Sequence, residues 1–153
     1  MKKYKIIDMI KKNQYAEALD VIMEILDNSE KIRMPQDAMA RLKKYSTKTQ
    51  EYFLVLTLNG AHEIINVHEA TKGLVNRTLI HPREVFRMAI EDNSAAVILA
   101  HNHPSGNPEP SGEDIDITNR VCEAGNIIGI PVLDHLIVSR VRSYSFKEFG
   151  LIK

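Results

Sequence analysis

The chain has 153 residues, with 20 Lys and Arg against 20 Asp and Glu, six His, one Cys and no Trp. That length fits one domain with a short appendage, and it buries enough surface for folding to need no disulfide or structural metal. Zero net charge argues against a strong electrostatic grip on nucleic acid or anionic membrane; a lone Cys122 excludes an internal disulfide, and no apolar run is long enough to span a bilayer.

The charge is unevenly placed. Residues 1–50 hold 11 Lys and Arg against 7 Asp and Glu, whereas residues 51–153 hold 9 against 13 and contain all six histidines. Residues 4–12 and 15–27 read as helices, because Tyr15, Leu19, Ile22 and Leu26 recur at the three-to-four spacing of one helical face. A turn is expected at Asn28-Ser29, and Pro35 suits the first position of a third helix over 35–45. Residues 1–45 thus form a helical appendage whose lysines, interleaved with acids, read as a solvated face. Its start has no uninterrupted apolar core of a signal peptide, so the expected location is the cytoplasm.

Residues 46–153 form the second segment; Tyr45 to Gln50 is a polar connection, and from Glu51 the period changes. Tyr52 to Leu58 is rich in β-formers and reads as a buried strand, Asn59-Gly60 suits a two-residue type I′ hairpin, and Ala61 to Val67 returns as the partner strand. Thr78 to Ile80 is a candidate short strand, and Pro82 opens a helix whose apolar side is Val85, Phe86, Met88, Ala89 and Ile90. Ala95 to Ala100 is wholly apolar and reads as a buried central strand. A turn-rich stretch from Pro104 to Pro110 leads to Ser111, which opens a helix running to about Gly125. Val132 to Val138 is a further strand, and Ser145 to Glu148 fits a capping box. The class is α/β or α+β, a mixed sheet flanked by helices.

The chemistry concentrates at His101-Asn102-His103. Side chains two apart on a strand share a face, so the two imidazoles can bind one ion, and Asp114 can return a carboxylate from the first turn of the next helix. Two histidines and a carboxylate leave a fourth position open, the pattern of a catalytic zinc ion; the same ligand set also suits iron. Glu51, at the start of the first strand, is the best-placed general base. Ser111 reads as a helix cap whose hydroxyl can also serve the site. His135, beside Asp134, reads either as half of a buried hydrogen-bonded pair with that aspartate or as a second layer behind the site. His62, His68 and His81 read as surface or loop residues, Arg83 as a helix-start salt bridge and Cys122 as a small core residue. No HExxH, G-x-S-x-G, P-loop, G-x-G-x-x-G or zinc-deaminase signature is present.

The spacing His101-x-His103-x7-Ser111-x2-Asp114, with a Glu about 50 residues upstream, resembles the JAMM motif of JAB/MPN metalloproteases. The run from His101 to Gly106, with His81 to Val85 before it and Leu133 to His135 after it, resembles the bacterial RadC-type JAB domain, over about residues 45–153. The resemblance implies a cytidine-deaminase-like fold, Zn²⁺ held by His101, His103 and Asp114, Glu51 as base and Ser111 stabilising an oxyanion. It further implies hydrolysis of a peptide or isopeptide bond to a protein substrate. The alternatives are a DNA-repair or mobile-element accessory protein that binds DNA or a protein through a non-catalytic metal site, and a scaffold. RadC-type proteins usually carry a glycine-rich helix-hairpin-helix module, whereas the first glycine here is Gly60. The expected DNA contribution is correspondingly weaker.

Overall fold

The apolar runs beginning at Tyr52 and Ala96 lie side by side in a five-stranded sheet. In the computed structural model, which describes residues 2–19, 22, 31–73 and 80–153, the chain divides into two units, Met1–Lys31 and Ile32–Lys153. In the first unit α1 spans Lys2–Lys11, in agreement with the helix expected over 4–12. The helix expected over 15–27 is helical at 15–19 and 22. The rest of it, and the turn at Asn28-Ser29, lie outside the described residues.

In the second unit α2 spans Pro35–Leu42 and continues into a single 3-10 turn at Lys43–Tyr45. Then follow β1 (Tyr52–Leu58), β2 (Ile64–Lys72), α3 (Pro82–Glu91), β3 (Ala96–Asn102), α4 (Gly112–Ile128), β4 (Val132–Val138) and β5 (Ser143–Ser145). The sheet order is β2-β1-β3-β4-β5, with β3 and β4 parallel and every other neighbouring pair antiparallel. Among the described residues, no helix is long and apolar enough to cross a membrane.

Local chemistry sets the helix starts. Pro35 and Pro82 occupy first-turn positions, where a missing N–H costs nothing. The Asp37 carboxylate accepts from the backbone N–H groups of Arg33 and Met34, and His81 Nδ1 accepts from the Arg83 N–H. Arg83 pairs with its neighbour Glu84 at 3.2 Å, as the helix-start reading expects. Helix α4 runs to Ile128, beyond the expected end near Gly125, and stops where Gly129 takes a left-handed φ of 82°.

The hairpin differs from the expected two-residue turn. Asn59 Oδ1 accepts from the N–H groups of Ala61 and Glu63, and the Asn59 and Glu63 backbones pair across a three-residue loop. His62, not Gly60, takes the positive φ (61°), so the turn is the bulged kind and the partner strand starts later, at Ile64. The strand expected at Thr78 to Ile80 falls mostly on residues outside those described.

Both faces of the central strands are buried, which is why β1 and β3 read as unbroken apolar runs. Phe53, Val55, Val97, Leu99 and Ile137 point to the side covered by Val85, Phe86 and Ala89 of α3 and Ile117 and Val121 of α4. Leu54, Leu56, Leu58, Ile98, Ala100 and Leu136 point to the other side, against Ala38 and Leu42 of α2 and Tyr45. By the same alternation His101 and His135 lie on the α4 side of the sheet. The layers are helix, sheet, helix.

Candidate metal centre

The site forms where β3 runs out against the start of α4. His101 is fully buried and His103 nearly so, and their Nε2 atoms approach to 2.9 Å. Asp114, 1% exposed, brings Oδ1 to 3.2 Å from His101 Nε2 and Oδ2 to 3.6 Å from His103 Nε2. Burial works to raise the Asp114 carboxyl, but the two histidines, together with the Ser111 backbone N–H, outweigh it and hold the group far below its ordinary value. The carboxylate is therefore charged in the folded protein.

His103 Nδ1 lies 2.6 Å from the Asn107 carbonyl oxygen. A carbonyl only accepts, so Nδ1 carries a proton, and Nε2 is the atom facing His101 and Asp114. Two imidazole nitrogens and a buried carboxylate thus face one point, the donor chemistry a divalent cation takes. The donor set fits such an ion.

Glu51 directly precedes β1, and the β1–β3 register that sets Phe53 against His101 carries it toward His103. Glu51, His101 and His103 each offer one ligand atom, and these atoms lie within 4.8 Å of one another. Asn102, between the two histidines in sequence, points to the other face and is fully buried. Its Oδ1 accepts from the Tyr52 N–H at 2.7 Å and its Nδ2 donates to the Gln50 carbonyl at 3.0 Å. It thus grips the backbone on both sides of Glu51, while the Glu51 carbonyl accepts from the Gly73 N–H at 2.7 Å.

Ser111 caps α4 and also touches the site. Its Oγ accepts from the Asp114 N–H at 3.1 Å, and its own hydroxyl donates to Asp114 Oδ2 at 2.8 Å. The backbone N–H of Ser111 donates to the same oxygen at 2.7 Å. A cleft of about 490 Å³ opens beside the site, lined by Glu51, His103, Pro104, Ser105 and Ser111 among others. All five residues expected at the site from the sequence are therefore brought together.

Two histidines differ from their simplest sequence readings. Asp134 does not pair with the His135 imidazole. Its Oδ1 accepts from the His135 backbone N–H at 2.7 Å and its Oδ2 from the Ser145 hydroxyl at 2.6 Å, because residues 134 and 135 face opposite sides of β4. The His135 ring turns to His101 instead. His68 is no lone surface residue either: its Nε2 lies 2.6 Å from Asp92 Oδ2. Sequence alone gives no role to Asn102, or to Thr118, whose Oγ1 lies 2.5 Å from His135 Nδ1. Thr118 stands four residues after Asp114, the spacing that shares a helical face, and that was its only signal.

A helix–sheet–helix domain that gathers histidine and carboxylate groups able to hold a metal ion at a strand end is an α/β protein with a candidate metal site. Comparison with known proteins narrows it: the RadC-like JAB domain matches residues 32–151, and the chain belongs to that family. It is 55% identical over 107 residues to a UPF0758 protein of Methanospirillum hungatei, covering 70% of this chain and 48% of the relative. A UPF0758 protein of Alkaliphilus oremlandii is 49% identical over 126 residues, covering 82% and 54% respectively. The chain spans about half the length of these relatives.

Proposed function

We propose that this chain is a zinc-dependent hydrolase that cleaves a peptide or isopeptide bond. The observation that carries the reading is the convergence of His101, His103 and a charged, buried Asp114 on one point at the cleft, with Glu51 beside them. In this reading His101, His103 and Asp114 hold the ion. When bound, zinc supplies Lewis acidity, polarising a carbonyl and acidifying a water. Glu51 takes the proton of the attacking water and delivers it to the leaving amine. Ser111 steadies the developing oxyanion, which requires its hydroxyl hydrogen to turn from Asp114 toward the cleft. The family membership supports a domain of this kind.

The test is metal content and turnover measured together. The purified chain is expected to bind one zinc ion and His101→Ala to lose it. Glu51→Gln is expected to keep the zinc while hydrolysis of a peptide and isopeptide library falls by about 10²–10⁴-fold, the usual contribution of a general base. Loss of zinc in Glu51→Gln would reassign Glu51 as a ligand. Zinc-loaded wild-type protein that cleaves nothing in the library would end the hydrolase reading.

A further inference from the structure

On the α2 side of the sheet a second hollow of about 310 Å³ opens, lined by Gln36, Met39, Lys43, Ser46, Arg140 and Ser143 among others. Its lining holds two cationic side chains and no carboxylate. Among the described residues, the Lys43 ammonium and the Ser143 hydroxyl have no hydrogen-bond partner. Arg140 makes one long contact, Nη2 donating to the Thr47 carbonyl oxygen at 3.4 Å, so most of its five donors are unspent. Ser46 turns its hydroxyl hydrogen to the Lys43 carbonyl at 2.7 Å, and Glu148 reaches the margin through Gln36 at 3.4 Å. Cationic donors gathered in a concave place without a carboxylate lining it suit an anion, and a guanidinium fork suits a carboxylate.

The turn from Ser139 to Arg142 joins this hollow to the metal cleft. Ser139 is buried and pins it: its Oγ donates to the Arg142 carbonyl at 2.6 Å and accepts from the N–H groups of Val141 and Arg142, each at 3.3 Å. On one side Arg140 lines the hollow. On the other, Val141 Cγ2 comes within 3.9 Å of the place a Gly106 Cβ would take, and Arg142 Nη2 lies 3.9 Å from Glu109, a residue of the cleft. Both members of that ion pair are about two-thirds exposed, so it is weak. The pinned turn thus offers Val141, 80% exposed, to solvent between two guanidinium groups. Thr47 stands four residues before Glu51, a reach of at most about 14 Å that about four or five extended substrate residues also span.

We propose that the hollow is a subsite for an acidic side chain of an extended peptide substrate that leaves the cleft across this turn, with Val141 packing on the peptide and Arg140 and Lys43 holding the carboxylate. The proposal rests on the peptide-hydrolase reading above and adds a substrate class to it: peptides with an Asp or Glu a few residues from the scissile bond.

Fluorescence anisotropy on the zinc-equilibrated Glu51→Gln chain tests it with labelled peptides that carry a single Glu, Gln or Lys, moved through each position in turn. Glu is expected to bind tightest at one position, and more weakly as salt is raised. Arg140→Ala is expected to weaken that binding about 10-fold, the loss of charge-assisted hydrogen bonds, and to leave the Gln and Lys peptides unchanged. Lys43→Ala is expected to act in the same direction, and Arg140→Lys to recover part of the loss. Arg87→Ala, an exposed cation of α3, is the control expected to change nothing. Equal binding of Glu, Gln and Lys peptides, or a preference for Glu that survives both Arg140→Ala and Lys43→Ala, would overturn the subsite. So would tighter binding of a single-stranded oligonucleotide than of any peptide. A preference for Glu in a chain whose zinc-loaded wild type cleaves nothing keeps the subsite and ends the hydrolase reading. Cleavage indifferent to Glu, Gln and Lys keeps the hydrolase reading and ends the subsite.

Discussion

Asn102 stands between two candidate ligands in sequence and on the opposite side of the strand in space. Its amide holds the Tyr52 N–H and the Gln50 carbonyl, so the backbone bearing Glu51 is tied to the strand bearing His101 and His103. Asn102→Ala leaves the buried Tyr52 N–H unpaired, a cost of about 1–3 kcal/mol, and releases the Gln50 carbonyl. The expected outcome is a variant that still binds zinc within a few-fold of wild type but has lost the placement of Glu51. Its kcat is expected to fall by about 10–10²-fold, the usual effect of an ångström of misplacement, with KM little changed. Zinc affinity and steady-state kinetics on the same preparation check it. At this scale the sequence was most legible: residue type and spacing at His101, His103, Ser111 and Asp114 express one strand end and one helix start. Asn102 was opaque because its role needs a partner strand 50 residues away.

At the scale of elements, Gly125 shows how tightly α4 is seated. A Cβ there would lie 2.6 Å from the Ile130 carbonyl oxygen and 3.0 Å from Phe86 Cζ, so the helix, the turn after it and α3 meet at a point only glycine fits. The Gly125 carbonyl also accepts from the N–H groups of Gly129 and Ile130, which closes the helix end. Gly125→Ala is expected to destabilise the fold by about 1–3 kcal/mol, the range for overpacking a filled interior. The melting temperature should drop by about 2–4 °C per kcal/mol. Gly112, at the start of the same helix, has open space around it, and Gly112→Ala is the control expected not to lower it. Helix and strand positions were readable from apolar period, proline and caps. The hairpin was not, because the Asn59 side chain bonds the N–H groups of Ala61 and Glu63 and leads the chain into a longer loop than Asn-Gly alone suggests.

Across the whole molecule, buried and half-buried carboxylates give the fold a pH dependence that zero net charge conceals. Asp92 ties three elements together: its oxygens meet Thr57 of β1, Asn66 and His68 of β2, and its backbone ends α3. Burial works to raise its carboxyl, but bonds from His68, Thr57 and Asn66 prevail and hold it below its usual value, as happens more strongly at Asp114. An unfolded Asp titrates near about 3.9. Groups lowered in the folded state add stability that is complete well above that pH and is lost as the pH falls from there through the lowered folded value. Asp134 carries the opposite sign, because burial raises its carboxyl despite the three bonds it accepts. Urea midpoints of the metal-free chain are expected to fall between pH 5 and pH 3. Asp92→Asn should show a shallower fall, and an equal slope would show that Asp92 does not contribute.

The sequence by itself determined what local chemistry controls: the buried strands, the prolines and caps that start helices, and the ligand types and spacing at the end of β3. Each depends on neighbours within a few residues, so the order of the chain carries it. Only the tertiary structure decided which face of a strand meets which helix. That choice separated Asp134 from His135, sent the His135 ring to His101 and placed Thr118 behind it. These are contacts across 17 to 34 residues. Sequence spacing says nothing of such contacts, because they exist only once the strands have paired and α4 has packed over them.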